Sequence, residues 1–269
     1  MNSIQTATPA RARLDEAVVA LGLAESRSQA RAFILAGDVT VNGAVAMRAG
    51  AAVRATDAIA LVAKPRYVSR GGEKLAHALN HFGIDVEGIT VADFGASTGG
   101  FTDCLLQAGA ERVFAVDVGR GQLHERIRTD PRVTVLDRTN ARLMMTLPVP
   151  VDLVTIDVSF ISLRLVLPAA ARVLSNGGTC IPLIKPQFEA GARDVGKGGV
   201  VRDPNVHRRV LGEVLAAAEA LGFGVLGLTR SPLKGPAGNV EFLAHLRLGQ
   251  ESIGGDQAID VVAGEGAIG

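Results

Sequence analysis

Val91-Ala92-Asp93-Phe94-Gly95-Ala96-Ser97-Thr98-Gly99-Gly100-Phe101 is the stretch of this 269-residue chain that decides its fold. An apolar run ends in an acidic residue, a glycine-rich turn follows, and residues 101–107 have the spacing of a helix. A second apolar run, residues 113–116, then ends at Asp117, which lies 22 residues after Gly95. Strand, turn, helix and strand in this order predict a βαβ nucleotide-binding unit, in which an acid at the second strand's end can bind a ribose diol.

The turn between these strands reads Gly-Ala-Ser-Thr-Gly-Gly, which departs from the G-x-G-x-x-G pattern of dinucleotide-binding proteins. Asp93, just before the turn, would repel a pyrophosphate, whereas an acid there suits a ligand with a positive charge. S-adenosylmethionine carries an ammonium and a sulfonium group. The turn therefore favours S-adenosylmethionine as the cofactor, and the alternatives are a nicotinamide dinucleotide and an ordinary turn without a ligand.

Polar residues stand at the ends of five predicted strands, at Asp93, Asp117, Asp137, Asp157 and Lys185. The carboxyl ends of parallel strands meet at one edge of a sheet, and ligands bind there. The segment after the third strand normally reads an adenine edge, although it can also be a capping turn. The predicted cofactor contacts are Asp93, Gly95, Ala96, Ser97, Thr98, Gly99, Gly100, Phe101, Asp117, Val118, Asp137, Arg138 and Asp157.

Strand-like and helix-like segments alternate along residues 73–248, which predicts a doubly wound, Rossmann-like α/β domain. The last strand, residues 240–246, follows a connection rich in proline and glycine, and we expect it to be the antiparallel edge strand typical of methyltransferases. Residues 249–269 hold many glycines and no aromatic residue, so we expect them to be disordered.

Composition excludes several classes of protein. The sequence has no run of eighteen apolar residues and no signal peptide, so we expect a soluble, cytoplasmic protein that does not enter a membrane. The two cysteines and five histidines form no metal-binding pattern, so we expect no metal. The cysteines lie in apolar segments and indicate buried thiols of a reducing compartment.

Residues 11–63 predict a separate, small module that precedes a linker at residues 64–72. Residues 1–72 hold nine Lys and Arg against five Asp and Glu, whereas the remainder of the chain holds 19 against 22. Two short helices are followed by short strands, one of which enters an Asn42-Gly43 turn. A basic α+β module of this size fits an attachment that binds nucleic acid.

The motifs of this module resemble the S4-like, αL-type RNA-binding domain. They are Arg13-Leu14-Asp15, Ser26-Arg27-x-x-Ala30, Gly37-x-Val39-x-Val41-Asn42-Gly43 and Asp57-x-Ile59. The resemblance implies that the second helix and the loop after it face RNA. The candidate RNA contacts are Arg13, Arg27, Arg31, Arg48 and, in the linker, Arg70; the alternative for each is a solvated surface position.

A second resemblance covers residues 10–247 and both domains. The chain is similar to the TlyA (haemolysin A) family of rRNA methyltransferases, whose catalytic domain is FtsJ-like. The motifs that carry it are Gly71-Gly72-x-Lys74-Leu75, the glycine-rich stretch above, Asp117-Val118-Gly119-x-Gly121-Gln122-Leu123, Arg138-Thr139-Asn140, Asp157-Val158-Ser159-Phe160-Ile161-Ser162, Ile184-Lys185-Pro186-Gln187-Phe188-Glu189, Lys197-Gly198-Gly199-Val200 and Gly238-Asn239-x-Glu241-Phe242.

This resemblance implies methyl transfer from S-adenosylmethionine to a ribose 2′-hydroxyl, with cytidine of ribosomal RNA in ribosomal subunits as the substrate. It places a catalytic Lys-Asp-Lys-Glu tetrad on Lys74, Asp157, Lys185 and Glu241. Lys185 would contact the hydroxyl, either as proton acceptor or as a cation that stabilises developing negative charge; we favour the cation. There are two alternatives. One is a nucleotide-dependent oxidoreductase, and the other is an RNA-binding assembly factor with an inactive methyltransferase fold. The sequence does not indicate an oligomeric state.

Overall fold

Residues 11–24, 26–35, 38–61, 66–235 and 237–265 are described in this structure, a computed structural model in which the chain divides into two units, residues 1–65 and 66–269. The elements of the first unit are β1 (Ala12–Arg13), α1 (Leu14–Ala20), α2 (Arg27–Leu35), β2 (Val39–Val41), β3 (Ala44–Val45), β4 (Ala52–Val53) and β5 (Ile59–Leu61). Strand β2 pairs with β3 and β5, and β1 pairs with β4, all antiparallel.

The first unit encloses a small apolar core. Leu14 and Val18 of α1 meet Ala30 and Ile34 of α2 at the helical spacing that the sequence predicts. The turn from β2 to β3 has positive φ at both central residues, 52° and 80°, as a two-residue Asn-Gly hairpin turn requires. The predicted α+β module is therefore confirmed for the part of it that the structure describes.

The second unit is built on a seven-stranded sheet in the order β11-β12-β10-β9-β6-β7-β8. Its strands are β6 (Thr90–Phe94), β7 (Arg112–Val116), β8 (Val133–Leu136), β9 (Val151–Ile156), β10 (Leu174–Ile184), β11 (Phe223–Arg230) and β12 (Phe242–Leu248). Its helices are α3 (Gly71–Phe82), α4 (Gly100–Gln107), α5 (Glu125–Arg128), α6 (Leu167–Val173), α7 (Pro186–Glu189), α8 (Pro204–Glu219) and α9 (Gly255–Glu265), with 3-10 turns at Ala141–Leu143 and Leu163–Leu165.

Side chains of alternate residues in the central strands belong to two apolar cores, one on each face of this sheet. Val91 packs toward Leu75 of α3 and Leu105 of α4. Ala92 faces the other side, where α6, α8 and α9 contribute Leu167, Val214 and Ile259. Helices therefore cover both faces, and the doubly wound, Rossmann-like fold is confirmed. Burial of one such leucine or valine contributes about 1.5–3 kcal/mol.

The antiparallel strand lies inside the sheet rather than at its edge. Strand β12 runs antiparallel to both β10 and β11, so β11 is the edge strand on that side. The connection from β11 to β12, residues 231–241, is long enough to return the chain between two strands. We correctly expected an antiparallel last strand, but its expected place at the edge was wrong.

The chain on either side of the predicted catalytic domain packs against that domain. Of the predicted linker, residues 66–72 belong to the second unit: Tyr67 is buried, and Val68 N donates to Asp103 Oδ2 at 2.8 Å. A side chain at Gly72 would overlap the Tyr67 ring, so this glycine lets the first turn of α3 lie against the ring.

The predicted disorder of residues 249–269 is wrong for α9, whose Ala258, Ile259 and Val262 are buried against the sheet. These apolar side chains recur at helical spacing, and the high glycine content concealed the pattern. Residues 266–269 of the predicted tail lie outside the described part of the chain, as do residues 64 and 65 of the predicted linker.

Candidate active site

Four side chains far apart in sequence meet at the edge of the sheet where the parallel strands end. Lys74 lies in the second turn of α3, Asp157 and Lys185 directly follow β9 and β10, and Glu241 directly precedes β12. Ile184 is the partner of Phe242 in the sheet register, which brings the ends of β10 and β12 together. The antiparallel direction of β12 is therefore what places Glu241 at the same edge as Lys185.

Two ion pairs organise these four residues. Lys74 Nζ lies 2.5 Å from Glu241 Oε2, and Lys185 Nζ lies 2.5 Å from Asp157 Oδ1. The two lysines and Glu241 are buried, and Glu241 is only 1% exposed. Because a buried charge without a partner is costly, each pair holds its two members in place.

The Lys185 ammonium is surrounded by oxygen atoms. It donates to Val158 O at 3.0 Å and to Ser159 Oγ at 3.1 Å. Its contact with Asp157 Oδ1 is close enough for an ion pair but out of line for a hydrogen bond, so that buried oxygen has no hydrogen-bond donor among the described residues. We take the contact as electrostatic because opposite charges attract at this distance whatever the angle.

Two cavities lie on either side of the glycine-rich turn. The first, about 450 Å³, is lined by Ser69, Arg70, Gly71, Lys74, Gly95, Ala96, Ser97, Thr98, Gly100, Phe101, Asp157 and Lys234. The second, about 440 Å³, is lined by Gly95, Ser97, Val116, Asp117, Val118, Gln122, Thr139, Asn140, Ala141, Arg142, Asp157, Val158, Ser159, Phe160, Ile161 and Val166. Gly95, Ser97 and Asp157 border both cavities, so an elongated ligand can extend from one to the other.

The residues around these cavities fit S-adenosylmethionine. Gly95 has φ +86°, and a Cβ there would lie 2.5 Å from Asp157 O, so only glycine leaves room at the boundary of the two cavities. Asp117 follows β7 and receives hydrogen bonds from Ser97 N at 2.8 Å and Gly119 N at 2.7 Å. These bonds fix a carboxylate in the second cavity, where a ribose diol can donate to it.

Asp93 does not reach either cavity, which corrects its expected contact with the cofactor. It is fully buried in β6 and accepts hydrogen bonds from Thr102 Oγ1 at 2.6 Å and Thr155 Oγ1 at 3.0 Å. Burial raises the pKa of Asp93 to about 7, although the two hydroxyl groups oppose the shift. Asp93 therefore supports the turn from beneath.

We expect Asp93→Asn to remove a pH dependence of stability. A carboxyl whose pKa rises on folding binds its proton more tightly in the folded state, so its ionisation costs stability as pH rises from about 4 to about 7. Between pH 5 and pH 8 the free energy of unfolding of the variant, relative to the wild type, rises by about 2–3 kcal/mol. Urea unfolding followed by circular dichroism measures this, with Asp256→Asn, an exposed change, as the control. A difference between variant and wild type that stays constant over this pH range would contradict it.

Three other predicted cofactor residues do not line the cavities. Asp137 accepts from Gly121 N at 3.0 Å, Arg138 is exposed with φ 53°, and Gly99 caps the start of α4 with φ 93°. Thr139 and Asn140 line the second cavity where Arg138 was expected. The other expected contacts, including Val118, lie on one of the two cavities.

Sequence reasoning missed Phe160. This residue is 90% exposed, has φ 62° and packs its ring 4.9 Å from the ring of Phe188 at the rim of the second cavity. Left-handed backbone at a large residue is uncommon, and an exposed aromatic ring is suited to stacking on a base. Its place within the motif that holds Asp157 was the signal that could have found it.

The predicted RNA contacts differ in how firmly they are held. Arg13 and Arg27 both donate to the buried Asp15, and these bonds lower the pKa of that carboxyl to about 2, with Arg13 the larger cause. Arg31 and Arg48 are exposed, and Arg70 donates to Lys234 O at 3.2 Å. All five guanidinium groups therefore stay accessible, and their contact with RNA stays a prediction.

Within the described ranges no group of three or more His, Cys, Asp or Glu side chains is placed to hold a metal ion. In the same ranges, no helix is both long enough and apolar enough to cross a membrane. Cys104 and Cys180 are buried free thiols, and burial raises the pKa of both.

The fold and the site define the class of protein as a methyltransferase with an added α+β module. A family model described as FtsJ-like methyltransferase matches residues 67–248, and one described as S4 domain matches residues 12–59. The chain therefore belongs to the FtsJ-like methyltransferase family, and S-adenosylmethionine is its cofactor.

Individual relatives agree with this assignment and confirm the TlyA resemblance. The chain is 48% identical to the 16S/23S rRNA (cytidine-2'-O)-methyltransferase TlyA of Mycobacterium tuberculosis strain H37Rv, over 88% of this chain and 90% of the relative. It is 45% identical to Hemolysin A of Brachyspira hyodysenteriae, over 87% and 98%. A solved structure of a hemolysin candidate from Streptococcus thermophilus is 40% identical, covers 97% of this chain and 98% of that one, and has a TM-score of 0.72.

Proposed function

We propose that the protein transfers a methyl group from S-adenosylmethionine to the 2′-hydroxyl of a cytidine in ribosomal RNA. The observation that carries this proposal is the Lys-Asp-Lys-Glu tetrad, in which two ion pairs meet at a cavity beside the glycine-rich turn of a methyltransferase fold and three of the four residues are buried. The S4 module and the rRNA substrates in the names of the relatives support RNA as the partner.

The tetrad supplies positioning and charge rather than a strong base. When bound, S-adenosylmethionine supplies an electrophilic methyl group. The Lys185 ammonium is held behind Asp157, Val158 and Ser159, which line the second cavity. From there it would donate to the ribose oxygen and stabilise the negative charge that develops on it. The Lys74–Glu241 pair borders the first cavity through Lys74, and there it would orient the ribose.

Gln187 extends this pair by donating from Nε2 to Glu241 Oε1 at 3.3 Å. Glu241 therefore has a partner on each carboxylate oxygen, and its orientation is fixed from two sides. Lys74 and Asp157, one member of each ion pair, line the first cavity, so a ribose bound there would meet both pairs. The rigidity of these pairs reduces the reorganisation needed in the transition state.

We place the protein in the cytoplasm, since assembling ribosomal subunits are its proposed partner. Two buried, unpaired thiols suit a reducing compartment.

Transfer of tritium from labelled S-adenosylmethionine to purified ribosomal subunits that lack the modification tests this function. We expect incorporation that nuclease digestion maps to 2′-O-methylcytidine, and none into subunits that were methylated beforehand. A methylated base instead of a methylated ribose would overturn the proposal. Tight binding of subunits and cofactor without transfer would favour the alternative of an assembly factor.

A further inference from the structure

A third cavity opens at the same sheet edge, on the face covered by α8 and α9. Its volume is about 330 Å³, at the lower end of the ~300–1,000 Å³ common for ligand sites. Three arginines, Arg202, Arg208 and Arg230, stand at its rim, and buried apolar side chains such as Leu211 and Phe242 form its floor. It shares no lining residue with the two cavities of the cofactor.

The charge at this rim is incompletely neutralised. Arg208 pairs with Asp260 at 2.7 Å, whereas Arg202 and Arg230 form no ion pair with a side chain that the structure describes, a set that ends at residue 262. His207 also faces the cavity, and burial lowers its pKa, so it adds no charge near neutral pH. Arg202 and Arg230 both line this concave surface, so an anion bound there would be attracted by two positive charges.

The rim is also held in place by buried side chains. Asn239, 2% exposed, accepts from Val201 N at 2.9 Å and donates to Gly199 O at 2.8 Å, so the segment that leads into Arg202 is tied to the segment that leads into Glu241. Arg230 is the last residue of β11. The two unpaired arginines therefore stand on fixed backbone, which reduces the entropy lost when they bind a ligand.

The register of the sheet relates this cavity to the tetrad. Ile184, Phe242 and Arg230 are neighbours across β10, β12 and β11. With strands about 4.8 Å apart, Arg230 lies about 10 Å from Ile184, the residue before Lys185. Val240 and Phe242 line the cavity while Glu241, between them, turns to the tetrad. An RNA strand whose ribose lies at Lys185 can therefore reach this cavity with a nearby nucleotide.

We propose that this cavity binds an unpaired nucleotide of the RNA, close to the methylated one, with its phosphate at Arg202 and Arg230 and its base on the apolar floor. This inference rests on the proposed function. Guanidinium groups bind phosphate in a bidentate manner, and unpaired bases of RNA are commonly held against apolar and aromatic side chains. An anion without an apolar part would leave the floor unused.

The test compares two double variants with equal loss of charge. Arg202→Ala/Arg230→Ala removes the two rim arginines that lack an ion pair and leaves Arg208 in place, and Arg112→Ala/Arg247→Ala removes two exposed arginines from the opposite edge of the sheet. For the rim variant we expect the KM for RNA to rise about tenfold with kcat nearly unchanged, and the slope of log affinity against log salt to fall by about one. The control variant and the Kd for S-adenosylmethionine stay close to wild type.

Equal behaviour of the two double variants would overturn the proposal. A loss of affinity for assembled subunits without a loss for their naked rRNA would also overturn it, because the cavity would then contact a ribosomal protein. Filter binding of the same RNAs gives the salt slope without any methyl transfer. Failure of the proposed enzymatic function would therefore be distinguishable from failure of this site.

Discussion

Replacement of Lys185 by alanine is expected to lower kcat for methyl transfer by about 100- to 1,000-fold, because the ribose oxygen then loses the one cation that meets its developing charge. The Kd for S-adenosylmethionine should stay close to wild type, since Lys185 lines neither cofactor cavity. Single-turnover transfer of tritium to unmodified subunits gives kcat, and a calorimetric titration gives the Kd.

Lys197→Ala is the matched control, since this lysine is exposed in the loop that precedes α8. We expect Lys185→Arg to keep more activity than the alanine variant because it retains the charge, although an arginine cannot accept the proton. A Lys185→Ala variant within about tenfold of the wild-type rate would show that positive charge at this position is not required.

Glu241→Ala is expected to destabilise the second unit by about 3–5 kcal/mol and to abolish transfer. The variant leaves the buried Lys74 ammonium without its carboxylate, and an unpaired buried charge is strongly destabilising. It also removes the acceptor of Gln187. Thermal unfolding followed by circular dichroism should show a midpoint lower by about 6–20 °C.

The double variant Lys74→Met/Glu241→Leu separates stability from catalysis. Both charges are then absent, so the second unit should regain most of its stability while transfer stays absent. A double variant that transfers methyl groups would place the Lys74–Glu241 pair outside the catalytic machinery. A single variant that loses less than about 1 kcal/mol would show that Lys74 finds another partner or solvent.

Local patterns in the sequence predicted the strands and the glycine-rich turn, whereas the four tetrad residues came from the resemblance to the TlyA family. The sequence did not predict the burial of Asp93, which depends on Thr155, a residue 62 positions away on a neighbouring strand. Local spacing shows that Asp93 lies at the end of a strand, but it does not show that other elements bury its side chain.

Local sequence patterns also do not show the order of the strands in the sheet. An apolar segment such as residues 242–248 could lie at the edge of the sheet or inside it. Only the pairing of β12 with both β10 and β11 shows that it lies inside. The third cavity follows from that pairing, because Arg230 comes into register with Phe242. Its arginines, at three separate positions in the sequence, could not be grouped before the sheet was known.

The position of β12 has a consequence for synthesis of the protein. Strand β11 pairs only with β12, although it precedes β12 in the chain. On a translating ribosome β11 therefore emerges before its partner strand, and its place in the sheet depends on β12, which lies between it and β10. The docking of β12 also brings Glu241 to Lys74, 167 residues upstream. The tetrad of a nascent chain therefore stays incomplete until β12 has been made and has docked.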